Sequence, residues 1–227
     1  MRNKLVYVLC LLAAGILCWQ LYNILLNLPN EKDQGAIYRI VYFHVPAIFT
    51  GFMGFFVALG ASGIYLATRN LKYDAFAAAV TEVSLTFATI VLATGMIWGR
   101  IIWGIWWTWD ARLTTMLVCW LIYAGYLMLR RAIDEPTQRA RLSAVVSIFG
   151  CTDILIVWKS IEWWRTQHPA PVLSVRDGGG MAPGMESPIY WNWLALMCLA
   201  AVLVMIRMRQ ENMAREIDSL RRMAHSY

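Results

Sequence analysis

The stretch Ile40-Val-Tyr-Phe-His44-Val-Pro46-Ala-Ile-Phe-Thr50-Gly-Phe-Met-Gly-Phe-Phe-Val-Ala-Leu-Gly60-Ala-Ser-Gly-Ile-Tyr65-Leu-Ala-Thr68 contains no Asp, Glu, Lys or Arg. A helix that spans a bilayer needs about 20 predominantly apolar residues, and this run exceeds that. Runs of the same kind, separated by charged breaks, lie at about 5–28, 76–97, 113–129, 142–161 and 189–207. Together they predict an all-α integral membrane protein with six transmembrane helices. The composition agrees: of 227 residues, 59% are apolar and only 15% charged, against about 25% charged in soluble domains. Residues 1–207 read as a single membrane domain with a tryptophan-rich segment, 98–112, between the third and fourth helices. Residues 208–227 read as a helical tail, with Glu211–Arg215 and Asp218–Arg222 paired at i,i+4. The apolar run from Leu5 continues through Trp19 and Tyr22 past any small-residue cleavage site, so it is read as a retained first helix rather than a signal peptide.

The net charge of +6 would suggest nucleic acid in a soluble protein, but here its placement carries the meaning, and no nucleic-acid partner is expected. With the N-terminus cytoplasmic, thirteen Lys and Arg residues fall on inner segments and seven on the outer side. The inner charges cluster at helix ends, which is the positive-inside pattern and puts both termini in the cytoplasm. The outer loops are then 29–39, 98–112 and 162–188. The stretch from Pro169 to Pro188, with Gly178-Gly-Gly180 and Pro183, has turn and linker composition. Five cysteines all lie in apolar runs with no C-x-x-C spacing, which disfavours disulfides, a zinc ribbon and a covalent haem site. No G-x-x-x-x-G-K-[ST] occurs, so a nucleotide-hydrolysing activity would have to come from a partner chain.

Ten of the twelve tryptophans fall on the outer side. Five lie in Trp98-Gly-Arg-Ile-Ile-Trp103-Gly-Ile-Trp-Trp107-Thr-Trp109-Asp110. On helical spacing Trp103, Trp106, Trp107 and Asp110 share one face, an aromatic slab ending in a carboxylate. Gly99 and Gly104 bare the backbone beside it for a flat ligand or another helix. An amphipathic helix anchored in headgroups is the competing reading. Histidine separates the two. His225 falls in the tail, but His44 lies about a turn inside the outer end of the second span, where an ionisable side chain is a functional candidate. His168, just beyond the fifth span in Glu162-Trp-Trp-Arg-Thr-Gln-His168-Pro169, sits at the same depth. Two imidazoles across an aromatic pocket are what bis-histidine ligation of haem iron requires. Arg100, Arg112 and Arg165 are placed either to bind haem propionates bidentately or to snorkel at helix ends. Glu82 and Asp153 lie inside spans and should face the bundle interior with a partner, in a structural role.

The tryptophan segment, followed by Ala-Arg-Leu-Thr, resembles the WWD signature of haem-handling proteins. The chain resembles the haem exporter protein C family (CcmC) of bacterial cytochrome c maturation along nearly its full length. The matching residues are Gln34-Gly35, Tyr38-Arg39 through His44-Val-Pro46, the WWD block, Glu162-Trp-Trp164 to His168, and Ser187-Pro188. The resemblance implies a bacterial inner-membrane protein that holds non-covalent haem b at its periplasmic face. His44 and His168 would be the axial iron ligands. Trp98, Gly99, Trp103, Gly104, Trp106, Trp107, Trp109 and Asp110 would form the platform and docking surface. It also implies partners: the periplasmic haem chaperone CcmE, and an ABC-type complex with the CcmA ATPase, CcmB and CcmD. In that reading the chain is a haem-transfer subunit and not itself an enzyme. The fifth span, Cys151-Thr-Asp153-Ile-Leu-Ile-Val-Trp158, lacks the Asn-Leu-Pro and extra His of some members. The alternatives are a haem lyase or cytochrome c synthetase component, whose larger representatives carry more spans and histidines, and a permease of small molecules.

Overall fold

The computed structural model describes residues 2–173, 180–182 and 184–224. Gly178, Pro183, Arg176 and His225, and the side chains of Asp218 and Arg222, lie outside the described residues. Six helices account for almost everything else: α1 (Arg2–Tyr22), α2 (Val41–Thr68), α3 (Leu71–Ile102), α4 (Ala111–Ala132), α5 (Pro136–Trp163) and α6 (Ser187–Ala224). A π turn over Asn23–Asn27 closes α1, and a 3-10 turn over Ala36–Ile40 leads into α2. Among the described residues these six helices are long and apolar enough to cross a membrane, and no strand is present.

The ends of the helices follow from local chemistry. Arg69, at φ 57°, closes α2, and the Asn70 side chain accepts from the Lys72 amide at 3.0 Å to open α3. The Glu135 carboxylate accepts from the Thr137 and Gln138 amides, with Pro136 filling the first position of α5, where no amide is needed. These hydrogen bonds hold the Glu135 carboxyl below the usual carboxylate range. Each of α3, α4 and α5 begins earlier than its apolar run does, because a charge ends an apolar window without ending a helix.

Helices α2 and α3 form the densest pair. At Gly54 a Cβ would collide with Ser84 Oγ and stand 3.2 Å from Ser84 Cβ, so glycine lets the two helices approach with Ser84 in its present rotamer. Phe55 of α2 stacks on Tyr123 of α4 at 3.7 Å between ring centroids, in a core that includes Phe52, Phe87, Met116 and Val157. Pro46 lies inside α2 and lacks the amide that would bond the Tyr42 carbonyl. That carbonyl instead accepts from Asn192 Nδ2 of α6 at 2.6 Å, so the break in one helix becomes a tie between two. Arg39 donates to the Ile24 and Leu28 carbonyls at 2.8 and 2.9 Å, and so finishes the end of α1.

At the opposite end, α6 continues without interruption beyond residue 207. The expected Glu211–Arg215 pair is present at 3.0 Å. The same arginine also bonds the Leu71 carbonyl and reaches Asp74, which is buried in a bidentate pair with Arg130. This first part of the tail is therefore packed on the bundle, rather than fully solvated. Glu82 has the expected partner, Arg207 Nη2 at 2.6 Å, but the pair is only half-buried and does not face the interior. Asp153 is buried beside the Cys119 thiol.

Candidate haem site

A cavity of about 260 Å³ opens at the end of the bundle where α3 runs out. Its wall includes His44, Trp98, Trp103, Trp107, Arg112 and His168, so residues far apart in sequence converge on one space. Phe52, Met116 and Val157 also line it.

His44 is buried on α2, and its Nδ1 lies 2.7 Å from Thr94 Oγ1 of α3. The Thr94 hydroxyl donates its own proton to the Ile90 carbonyl, also at 2.7 Å. With its proton on that carbonyl, Thr94 Oγ1 presents a lone pair to Nδ1, the arrangement in which His44 carries its hydrogen on Nδ1 and keeps a lone pair on Nε2. Gly95 faces the ring, where a Cβ would meet His44 Cε1 at 3.4 Å. Trp98 meets His44 edge-on at 6.0 Å and donates from Nε1 to Gln34 Oε1 at 2.7 Å, which brings Gln34 into the wall.

His168 follows α5 on a segment without helical hydrogen bonds. Its Nδ1–H donates to the Pro169 carbonyl at 2.9 Å, which again leaves the lone pair on Nε2. Burial holds its pKa at about 4, and the neighbouring Arg112 charge pushes the same way, so the ring is neutral at pH 7. Among the described residues neither Nε2 has a hydrogen-bond partner. Metal-bound histidines commonly donate their other ring nitrogen to a carbonyl or similar acceptor, and both histidines already do so here.

The tryptophan segment is not the helix its spacing suggested. Trp103 closes α3 with its amide on the Gly99 carbonyl, and Gly104 turns the chain at φ 77°, which a residue with a Cβ rarely adopts. Trp103 to Asp110 then run without helix, so the predicted single face of Trp103, Trp106, Trp107 and Asp110 does not form. Trp98, Trp103 and Trp107 line the cavity, whereas Trp106 is 59% and Trp109 76% exposed. The bare backbone at Gly99 is filled from within the chain: the Trp103 ring lies where a Cβ would be 3.0 Å from Cε3.

Asp110 caps α4, accepting from the Arg112 amide at 2.9 Å. It accepts as well from Thr166 Oγ1 and from the Gln167 amide, each at 2.8 Å. Burial alone would raise its pKa, but the hydrogen bonds from Thr166, Gln167 and Arg112 hold the carboxyl below its ordinary value. Of the three arginines singled out in the sequence, only Arg112 reaches the cavity, where its Nη1 donates to the Val157 and Trp158 carbonyls of α5. Arg100 instead donates to the Gly104 carbonyl, and Arg165 lies exposed outside the wall. Thr94, Gly95 and Gln167 belong to the site and carried no signal of their own, since their partners are set only by the fold.

The fold and the site define a multi-pass membrane protein with a pocket at one end, walled by tryptophans and two histidines. The description "Heme exporter protein C" belongs to a family model that matches residues 1–223, and the chain is a member of that family. It is 35% identical over 182 residues to heme exporter protein C of Escherichia coli strain K12, covering 80% of this chain and 73% of that protein. It is 34% identical over 199 residues to the protein of the same name from Bradyrhizobium diazoefficiens, covering 87% and 75%. The Paracoccus denitrificans protein of that name is 33% identical over 193 residues, covering 85% and 80%.

Proposed function

We propose that the chain binds haem b non-covalently as its cargo, between His44 and His168, and hands it to a periplasmic haem chaperone of the CcmE type during c-type cytochrome maturation. The observation that carries this reading is the pair of histidines on one cavity, each with Nδ1 engaged in a hydrogen bond and with no hydrogen-bond partner on Nε2 among the described residues. Haem supplies an iron with two open axial positions, and neutral imidazoles suit both. Trp98, Trp103 and Trp107 offer apolar aromatic surface to a porphyrin face or edge. Arg112 is the cation in the wall that suits a propionate, with its guanidinium held by α5 carbonyls.

The thirteen-to-seven charge bias supports an orientation with both termini in the cytoplasm and this end of the bundle on the periplasmic side of a bacterial inner membrane. Trp106 and Trp109, exposed beside the cavity mouth, form the docking surface in this reading. The chain works as a transfer subunit within an ABC-type assembly, taking its energy from a CcmA-type ATPase alongside CcmB- and CcmD-type subunits.

The test is absorption and electron paramagnetic resonance spectroscopy of the purified chain and of His44→Ala and His168→Ala. Wild type should give a low-spin, six-coordinate spectrum. Each variant should shift toward five-coordinate high spin. No Soret band in wild type, or unchanged spectra in both variants, refutes the reading.

A further inference from the structure

Beyond Trp164, the last residue bonded back to α5 through its amide to the Ser160 carbonyl, the chain that carries His168 has no helix to hold it. Val172 and Leu173 further on pack against an apolar cluster, and residues 166–168 themselves are tied to one carboxylate. Asp110 Oδ1 accepts from the Arg112 amide at 2.9 Å and from Thr166 Oγ1 at 2.8 Å, while Oδ2 accepts from the Gln167 amide at 2.8 Å. Thr166 Oγ1 accepts in turn from the His168 amide at 2.9 Å, so an unbroken hydrogen-bond chain runs from the carboxylate to the histidine backbone. Asp110 is 8% exposed, so water competes little for these bonds.

We propose that Asp110 is the positioning residue for His168, strapping residues 166–168 to the N-terminus of α4 and thereby setting where the imidazole stands over the cavity. This rests on the reading of His168 as an axial ligand. The chemistry accounts for the residue type. A helix cap needs one acceptor, which Ser, Thr or Asn supplies equally well. Three donors converge on this side chain, and only a carboxylate offers two acceptor oxygens and no hydrogen of its own. Asparagine would set an NH₂ group against one of the donors. Serine would cap α4 but lacks the second oxygen and the reach to cross to Thr166 and Gln167.

That difference separates positioning from capping. In haem-free Asp110→Ser, the first-turn amides of α4 should keep their exchange protection, while the Gln167 and His168 amides exchange about tenfold faster or more. The haem-loaded variant should gain a five-coordinate high-spin fraction that wild type lacks. Thr166→Val, which removes one limb of the strap without touching the cap, should show both changes to a smaller degree. If Asp110→Ser fails to fold, Thr166→Val decides by the same two readouts.

Unchanged exchange and unchanged spin state overturn the proposal. Faster exchange with an unaltered spin state also overturns it, because the strap would then order the loop without setting the ligand. A wild type lacking the bis-histidine signature would instead refute the ligand reading, and the exchange comparison on haem-free protein would still report whether the strap exists.

Discussion

Replacing Thr94 with Val removes the one acceptor for His44 Nδ1–H while nearly preserving shape. The imidazole is 6% exposed, so the lost partner is not replaced by bulk water. It has two responses. It can keep its proton on Nδ1 and leave it unsatisfied, which costs about 1–3 kcal/mol. It can instead move the proton to Nε2, which removes the lone pair that faces the iron. The first cost is shared by the haem-free and haem-bound states and falls on stability, while the tautomer shift must be reversed before iron binds and the lost acceptor no longer supports the ring's basicity. Outer-sphere partners of metal-bound histidines contribute about 10–100-fold in affinity. Haem affinity of Thr94→Val should therefore fall by about 10–100-fold, measured by spectrophotometric titration of haem into the detergent-solubilised haem-free protein. Thr94→Ser keeps the hydroxyl and should stay within about threefold of wild type. A Thr94→Val protein with wild-type affinity and an unshifted Soret band would refute the claim that this hydroxyl fixes the tautomer.

Asn192→Ala strips the Tyr42 carbonyl of the donor that stands in for the missing Pro46 amide, and should destabilise the bundle by about 1–3 kcal/mol in chemical unfolding. An unchanged midpoint would mean that water satisfies that carbonyl. His168 titrates at about 4 in the fold against an ordinary 6.5, so the folded chain binds fewer protons than the unfolded chain between those values. Stability of the haem-free protein should therefore decline as pH falls from about 6.5 to about 4 and lose no more from this group below that. His168→Asn should flatten that part of the profile, and an identical slope in the variant would refute the assignment. Among the tryptophans, Trp107→Ala should reduce haem retention on gel filtration, whereas Trp109→Ala, exposed in wild type, should retain haem normally and lose only chaperone coupling. Equal retention in the two would show that lining the cavity is not what matters.

The six spans were legible because the bilayer imposes a blunt requirement on composition that survives without any knowledge of neighbours. Their ends were less so. Helix α3 starts at Leu71 and runs through Lys72 and Asp74 before the apolar run begins, since the Asn70 cap and not hydropathy opens it. The depth match of His44 and His168 was also readable, because both positions could be counted from span ends. The structure adds that they share one cavity.

The tryptophan segment was misread because a periodicity of 3.6 can arise without a helix. Trp103, Trp106, Trp107 and Asp110 have the spacing, but Gly104 at a positive φ and Asp110 in the extended region cannot belong to a continuous helix. The sequence held a contrary sign: an aspartate immediately before Ala-Arg-Leu-Thr and an apolar run is a helix start, which makes Asp110 the beginning of α4 and not the end of a slab. Thr94 had no such sign, and Gln34 stood out only as a residue matching the family, with no partner indicated. Their partners lie 50 and 64 residues away in the chain, and a lone polar residue says nothing about which distant group will meet it. Sequence could therefore point to the groups with unusual chemistry, the imidazoles, the indoles and the Asp110 carboxylate, but not to the partners of the Thr94 hydroxyl and of Asp110. Those depend on the packing of α2 against α3, and of the Asp110 cap against the segment beyond α5, and both contacts exist only once the chain has folded.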